Sequence, residues 1–380
     1  LLGQKNYGTA RKVLGNEITL NIIVGLLFTV VTLAFMDPIL LFFGASGNTL
    51  PYARDYMVII AAGNVITHLY FGLNSVIRSS GNPKLAMGLT LFTVTSNAIM
   101  DPIFIFALGM GIKGAAYATV LCQTMALAYT LWYFLDDKKL LHLDRRKPLQ
   151  LEWRIAKDSL EIGMAPFLMN LASCIVVLFI NNQLLKYGGD LAIGAYGISN
   201  RISFLFAMVV VGLNHGMQPI AGYNYGARLY SRVREVYVRT AAWATLVCIV
   251  GFIVSEVFPG PATALFTDSP QLRSLATRGL KTMNLVFPII GFQMVTTNLF
   301  QCLGMVSNSI FLSLTRQLIF LVPCVYFLPA MLESEAGIWY SFPISDFLAS
   351  VLTAILAVKL LRNLGMLKDG DEPSILGGRI

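Results

Sequence analysis

The sequence predicts an all-α integral membrane protein built from two pseudo-symmetric helical lobes. Three observations support this prediction: the residue composition, a series of long apolar segments, and an internal repeat. Of the 380 residues, 56% are hydrophobic and 13% are charged, whereas about 25% of the residues of a soluble domain are charged. A chain of this composition leaves no room for a sizeable soluble domain.

Ten apolar segments are each about 20 residues or longer, the length that an α-helix needs to cross a bilayer. In chain order they are 14–36, 53–77, 85–108, 114–135, 160–186, 191–218, 237–258, 280–303, 306–329 and 336–361. The first four form the N-terminal lobe, residues 1–136, and the other six form the C-terminal lobe, residues 154–364. The charged stretch 137–153 is the predicted cytoplasmic linker, and 365–380 is a predicted cytoplasmic tail.

The two lobes are related by a sequence repeat at an offset of 223 residues. "GQKNYGTARKV" at the start of the chain overlays "GARLYSRVREV", "DPILLFFGAS" overlays "GPATALFTDS", and Gly114 falls on Gly337. An even number of spans separates the copies, so the copies run parallel, as in transporters whose halves face each other. Residues 154–223 have no counterpart before residue 1. We therefore expect two further helices before this chain, twelve in all; the alternative is a natural ten-helix protein with unequal halves.

Basic residues are distributed unevenly between the two sides of the predicted spans. One side, which includes both ends of the chain and the linker, carries 20 Lys and Arg residues, against 6 on the other side. This positive-inside pattern predicts that both ends are cytoplasmic. The net charge of +8 is therefore a topology signal with affinity for anionic lipid, and nucleic acid is not an expected partner.

Cysteine and histidine spacing predicts neither a metal centre nor a nucleophilic active site. All five cysteines lie inside predicted spans, and the three histidines are scattered. Cysteines in this setting are typical of small buried apolar side chains. We expect no enzyme activity and no bound cofactor.

A polar stripe interrupts the third span. Thr93, Asn97 and Asp101 are spaced four apart and share one helix face, and Thr119 lies on the next span at a similar depth. Placing an aspartate in hydrocarbon costs about 2.5–3.5 kcal/mol. A role in binding an ion would explain why Asp101 is present, since carboxylate, amide and hydroxyl oxygens suit a proton or a hard cation such as Na⁺. Alternatively, Asp101 and Pro102 cap a helix break, as the "MDP" at 36–38 is expected to do.

Several longer motifs resemble those of the multidrug and toxic compound extrusion (MATE) family, in its MepA-like and DinF-like bacterial branches. They are "VIRSSGNPKLAM" (76–87), "SNAIMDPIFIF" (96–106), "GMGIKGAAYATV" (109–120), "QPIAGYNYGAR" (218–228) and "GIWYSFPISD" (337–346). The resemblance covers essentially the whole chain. It implies twelve helices in two six-helix lobes, alternating access, exchange of a drug for protons or sodium, a monomeric state and a bacterial inner-membrane location.

The resemblance also implies site residues. Asn97, Asp101 and Thr119 match the cation-binding network of DinF-like relatives. In those relatives an aspartate on the first of the twelve helices completes the network, and we expect that helix to precede residue 1. NorM-type relatives carry a glutamate in the span 160–186, where this chain has Ser173 or Cys174, so cation coupling of that kind is not expected. Asp346 overlays Gln123 in the repeat and is a second coupling residue, a structural partner of Arg316 or a polar contact on the cytoplasmic side.

For the substrate, Met, Phe and small polar residues on inward faces suit loose binding of flat lipophilic cations. The candidates are Met169, Asn170, Phe206, Asn284, Met294 and Asn298. The competing interpretation of each is ordinary core packing.

The predicted function is a secondary antiporter, coupled to H⁺ or Na⁺, that exports lipophilic organic cations. The alternative is a lipid-linked oligosaccharide flippase of the same superfamily, which would need a basic cavity; Arg201 and Arg316 are the only arginines away from the ends of the predicted spans, too few to favour it. A membrane-embedded enzyme is the third possibility, but no pairing of nucleophile and base supports it.

Overall fold

The structure, a computed structural model, describes residues 1–43, 45–143, 149 and 151–372. All regular secondary structure in this part of the chain is helical, which confirms the predicted all-α class. Parts of the predicted linker (144–148 and 150) and of the predicted tail (373–380) lie outside the described residues. The chain divides into two compact units, Leu1–Ser159 and Leu160–Ile380.

The first unit contains six α-helices and one π-helical turn. They are α1 (Tyr7–Ala34), α2 (Met36–Phe42), α3 (Leu50–Ala62), α4 (Asn64–Ser79), α5 (Pro83–Pro102), π1 (Ile103–Ala107) and α6 (Ile112–Phe134). Its core is a cluster of buried apolar side chains from α1, α4, α5 and α6, including Leu14, Tyr70 and Phe134. Leu141 and Leu143 of the predicted linker are buried in the same cluster, so this part of the linker packs on the first unit.

The chain passes into the second unit through α7 (Trp153–Gly226), which consists of two helical arms. The arms meet at Gly189, whose φ of 67° and ψ of −168° are not helical. The elements that follow are α8 (Tyr230–Val257), α9 (Pro259–Ala264), α10 (Pro270–Met283), α11 (Phe287–Cys302), α12 (Val306–Leu314), π2 (Thr315–Leu321), α13 (Val322–Leu332) and α14 (Ala336–Met366). Two buried apolar clusters form the core of this unit.

The helix boundaries repeat at the offset that the sequence predicts. α1 begins at Tyr7 and α8 at Tyr230; α4 begins at Asn64 and α11 at Phe287, each pair 223 residues apart. Each unit also contains a bent helix pair at the same place: α3 and α4 meet at 54°, and α10 and α11 at 58°. The two units therefore share an internal architecture and differ in their side chains.

All ten predicted spans fall on helices, although not every one of these helices is long and apolar enough to qualify as a membrane span. Six helices are long and apolar enough to cross a membrane, or up to eight if each bent pair is one span. The 74-residue α7 is one of the six and carries two predicted spans on its two arms. α6 is not among them, because polar side chains such as Thr119, Gln123 and Thr124 lower its hydropathy.

α1 and α8 extend about two turns beyond the predicted starts of their spans. Their first turns are polar and basic, so the apolar pattern did not include them. The start of α8 has no side-chain cap of its own. Instead, the backbone N–H and hydroxyl of Ser231 donate to Asp369, at 3.0 Å and 2.5 Å, and these hydrogen bonds lower the pKa of the Asp369 carboxyl. A carboxylate here satisfies an unpaired helix N–H, so residues 367–372 are a capping segment of α8.

Candidate functional site

The predicted polar stripe lies where the end of α5 meets the first turns of α6. Asp101 and Pro102 are the last residues of α5, and π1 follows directly. α6 then packs against π1 at very close range, because a Cβ atom on Gly114 would lie only 2.7 Å from the backbone carbon and oxygen of Phe104. This close packing brings Thr119 of α6 to the level of Asn97 and Asp101.

Asn97, Asp101 and Thr119 form one hydrogen-bonded cluster. The Asn97 Nδ2 group donates to Asp101 Oδ1 at 3.0 Å and to Thr119 Oγ1 at 3.2 Å. The Thr119 hydroxyl donates to the carbonyl of Ala115 at 3.0 Å, so its oxygen accepts from Asn97. All three side chains are half-buried.

The cluster leaves several oxygen atoms available. Among the described residues, neither Asp101 Oδ2 nor Asn97 Oδ1 takes part in a hydrogen bond, and no basic side chain forms an ion pair with Asp101. A carboxylate without a countercharge, beside amide and hydroxyl oxygens, is a donor set for a proton or a hard cation. The structure thus brings together the three residues predicted to bind a cation; their role remains a prediction.

Thr93 belongs to the same helix face but not to the cluster. Its hydroxyl donates to the Thr90 carbonyl at 2.8 Å and lies 3.3 Å from the Tyr70 hydroxyl. Asn74 extends this second group by donating to Thr90 Oγ1 at 3.0 Å. Thr93 is therefore part of the packing between α4 and α5.

Two further polar contacts in the first unit were not predicted from the sequence. The Thr67 hydroxyl donates to Gln123 Oε1 at 2.5 Å, and Gln123 is one helical turn beyond Thr119. Asn21 donates to Glu17 Oε1 at 2.9 Å, on the face of α1 that packs against Gly72 of α4. The spacing of four residues between Glu17 and Asn21 was an available signal for the second contact, whereas the first contact joins two helices and had no such signal.

In the second unit, Asp346 pairs with Arg316. The Arg316 Nε group donates to Asp346 Oδ1 at 2.7 Å, with side-chain exposures of 33% for the arginine and 7% for the aspartate. Arg316 lies on π2, where Gln317 also donates to Ser173 Oγ at 2.8 Å. Arg316 is therefore in contact with Asp346, as the structural alternative expected. A coupling role for Asp346 remains a prediction.

The repeat relates this ion pair to neutral groups in the first unit. At the offset of 223, Arg316 corresponds to Thr93 and Asp346 to Gln123, whereas Asp101 corresponds to Cys324. Each unit therefore carries a polar contact absent from the other. Of these aligned positions, the acid that forms no ion pair with a described residue is Asp101, in the first unit.

The six substrate candidates all lie in the second unit, in different surroundings. Asn284 is buried at the bend between α10 and α11, where its Nδ2 group donates to Ser203 Oγ at 2.9 Å and Ser255 Oγ at 2.8 Å. The ring of Phe206 packs edge-on against the ring of Phe287, with 6.5 Å between the ring centroids. These contacts are structural, and a role in substrate binding remains a prediction for both residues.

The other four substrate candidates are more accessible. Met169 and Asn170 are exposed on the first arm of α7, and Met294 and Asn298 are half-buried on α11. Within the described residues, no group of three or more His, Cys, Asp and Glu side chains is placed to hold a metal ion.

Comparison with known proteins identifies similar transporters. The MatE family model matches residues 1–103 and 162–327, more than half of the chain. The multidrug export protein MepA of Staphylococcus haemolyticus (strain JCSC1435) is 28% identical over 385 residues, which cover 99% of this chain and 81% of MepA. MepA of Staphylococcus aureus (strain MSSA476) is 28% identical over 365 residues, with 96% and 79% covered.

Solved structures share the fold. A MOP superfamily transporter from Pyrococcus furiosus superposes with a TM-score of 0.89 at 24% identity, over 96% of this chain and 82% of that one. An outward-facing multidrug resistance MATE family transporter of the MOP superfamily superposes with a TM-score of 0.88 at 23% identity, with the same coverage. The predicted architecture is thus that of known transporter structures.

Proposed function

The chain belongs to the MatE family, a family of membrane transporters and not of enzymes, and we propose that it is a cation-coupled antiporter that exports lipophilic organic cations. The observation that carries this proposal is the cluster of Asn97, Asp101 and Thr119. In the proposed cycle, Asp101 takes up a cation in one conformation and releases it in the other, and alternating access couples this exchange to export.

The coupling ion is H⁺ or Na⁺, and the cluster offers suitable groups for either. A proton would bind to the carboxylate of Asp101, whose Oδ2 atom has no hydrogen bond to a described residue. A sodium ion would bind to that oxygen together with Asn97 Oδ1 and Thr119 Oγ1, since hard cations prefer oxygen ligands. Release in either case restores a negative carboxylate, which favours binding of a cationic substrate.

The proposed substrates are lipophilic cationic drugs. The two relatives compared above are named for multidrug export, which favours the antiporter over the flippase alternative. Met169, Asn170, Phe206, Asn284, Met294 and Asn298 remain the proposed substrate contacts. Met and Phe side chains can repack around differently shaped ligands, as a broad substrate range requires.

We further propose that the protein is monomeric and lies in the bacterial inner membrane, with both described ends on the cytoplasmic side. The excess of basic residues on that side supports the orientation. The six helices that qualify as membrane spans, up to eight with the bent pairs, support a multi-pass protein.

The test is gradient-driven efflux of ethidium from proteoliposomes. The wild type is compared with Asp101→Asn, which keeps the size of the side chain and removes its charge, under an imposed pH gradient and then under a sodium gradient. Asp55→Asn is the matched control, because Asp55 lies in the same unit but is paired with Lys113 at 3.3 Å. Asp346→Asn tests the second candidate.

Efflux that is driven by one gradient, lost in Asp101→Asn and retained in Asp55→Asn supports antiport through Asp101 and identifies the ion. Efflux that persists in Asp101→Asn would reduce Asp101 to a helix cap. If Asp346→Asn alone abolished efflux, the coupling residue would lie in the second unit.

A further inference from the structure

A pocket of about 190 Å³ lies between α10 and the first turn of α14. It is lined by Arg278, Lys281, Thr282, Ala336, Trp339 and Tyr340. Pockets for drug-sized ligands usually measure about 300–1,000 Å³, so this one suits a smaller group. It lies in the second unit, on elements that do not contribute to the cluster around Asp101.

Two cationic side chains on one helix face dominate the lining. Arg278 and Lys281 are three residues apart on α10, and both are exposed. Neither forms an ion pair with a residue in the described part of the chain. Positive charges three apart on a helix repel each other, so an anion between them would be stabilised.

The count of basic residues places Arg278 and Lys281 on the side of the predicted spans that carries only 6 Lys and Arg residues, against 20 on the other side. Two other basic residues on that side are paired, Arg54 with Asp37 and Lys113 with Asp55. Arg278 and Lys281, like Lys186 and Arg273 on the same side, form no ion pair with a described residue.

Trp339 supplies an independent observation. Its side chain is only 4% exposed, and its indole Nε1 is a buried donor with no acceptor among the described residues. The six-membered ring lies against Gly279, where a Cβ atom would come within 2.7 Å of it. Buried polar groups nearly always have a hydrogen-bond partner, and this donor has none among the described residues although its residue lines the cationic pocket.

We propose that this pocket binds a phosphate group, with Arg278 and Lys281 as its counterions and Trp339 as a neutral donor. A phosphate presents several strong acceptor oxygens, and arginine and lysine are its usual partners. The aromatic rings of Trp339 and Tyr340 are of the type that gathers at membrane interfaces. The phosphate therefore belongs to an anionic lipid headgroup or to a soluble ion, and the two sources are separated by experiment.

The experiment measures ligand binding to the purified protein by native mass spectrometry. One arm titrates phosphatidylglycerol against a phosphatidylcholine background, and the other titrates inorganic phosphate. The variants are Arg278→Gln, Lys281→Gln and the double variant. Arg273→Gln is the matched control, because Arg273 is an exposed basic residue of the same helix that instead donates to the Gly260 carbonyl at 3.1 Å.

Each charge removed from the pocket is expected to weaken phosphatidylglycerol binding about fivefold, and the control is expected to bind as the wild type does. Trp339→Phe removes the N–H together with part of the ring system that packs on Gly279, so its thermal unfolding is measured alongside binding. With unfolding unchanged, it too should weaken binding. The same pattern with inorganic phosphate would identify a soluble source of the same group. Unchanged binding by the double variant, or an equal loss in Arg273→Gln, would overturn the proposal.

Discussion

The side chain of Asn97 organises the proposed coupling site. Both hydrogens of its amide are used, one toward Asp101 and one toward Thr119. The Thr119 hydroxyl is in turn fixed by its donation to Ala115. Because Nδ2 makes both donations, Asn97 Oδ1 and Asp101 Oδ2 have no hydrogen bond to a described residue. Substitutions in this cluster can therefore test which ion is coupled.

Thr119→Val should separate sodium from proton coupling. The substitution keeps the shape of the side chain but removes an oxygen, and a hydrogen bond or ligand contact to a charged group is worth about 1.5–3 kcal/mol. If sodium is the coupling ion, we expect the sodium concentration for half-maximal efflux to rise at least tenfold. Thr119→Ser restores the oxygen and should restore the affinity. Equal effects of Val and Ser would contradict a ligand role for the hydroxyl.

The ion pair of Arg316 and Asp346 makes a different prediction, one of stability. Asp346 is 7% exposed, so Arg316→Gln leaves a buried carboxylate without its partner, which costs about 3–5 kcal/mol. We expect the lower end of this range, since Arg316 is one-third exposed. The measurement is thermal unfolding in detergent.

The double variant Arg316→Met with Asp346→Leu is the control for this ion pair. It removes both charges, and it should recover most of the lost stability because no unpaired charge remains. A double variant as unstable as Arg316→Gln would indicate that the pair has a role beyond mutual neutralisation.

At the scale of the elements, close helix contacts at two glycines recur in both units. A Cβ on Gly114 would meet the backbone of Phe104, and one on Gly337 would meet the backbone of Leu328 and Pro329 at 2.4–2.6 Å. In the first unit this contact sets the distance between π1 and α6, and so the position of Thr119 relative to Asp101 at the end of α5. The geometry of the site therefore depends on a residue that does not touch it.

Gly114→Ala should impair transport and stability together. The added methyl group forces α6 away from π1, and overpacking of this kind costs about 1–3 kcal/mol. Gly88→Ala is the matched control, because Gly88 lies inside α5 with no atom within 4 Å of its added Cβ. The control should be neutral or slightly stabilising, since alanine favours helix more than glycine does. Equal behaviour of the two variants in unfolding and efflux would contradict this view of the contact.

At the scale of the whole molecule, the apolar segments and the repeat predicted the fold, because both depend on patterns of many residues. The spacing of Asn97 and Asp101 also predicted their contact, since residues four apart on a helix meet. The bond between Thr67 and Gln123 was not predictable in this way. It depends on how α4 packs against α6, and no periodicity within one helix records that distance. The starts of α1 and α8 were missed because charged first turns interrupt the apolar pattern.

The orientation of the molecule gives a prediction at the same scale. Asp137 in the predicted linker and Asp268 between α9 and α10 are both exposed, and the charge distribution places them on opposite sides. In intact cells, a membrane-impermeant maleimide should label Asp268→Cys and should label Asp137→Cys only after permeabilisation. The unsubstituted protein controls for its own cysteines. The reverse pattern would contradict the positive-inside assignment.

The most direct measurement of the central claim, that Asp101 exchanges a cation for the substrate, is cation release from the purified protein on addition of ethidium. Proton release is followed with a pH indicator in weakly buffered solution, and sodium release with a radioactive tracer. We expect release of about one cation per molecule from the wild type and none from Asp101→Asn. Equal release from both proteins would contradict it.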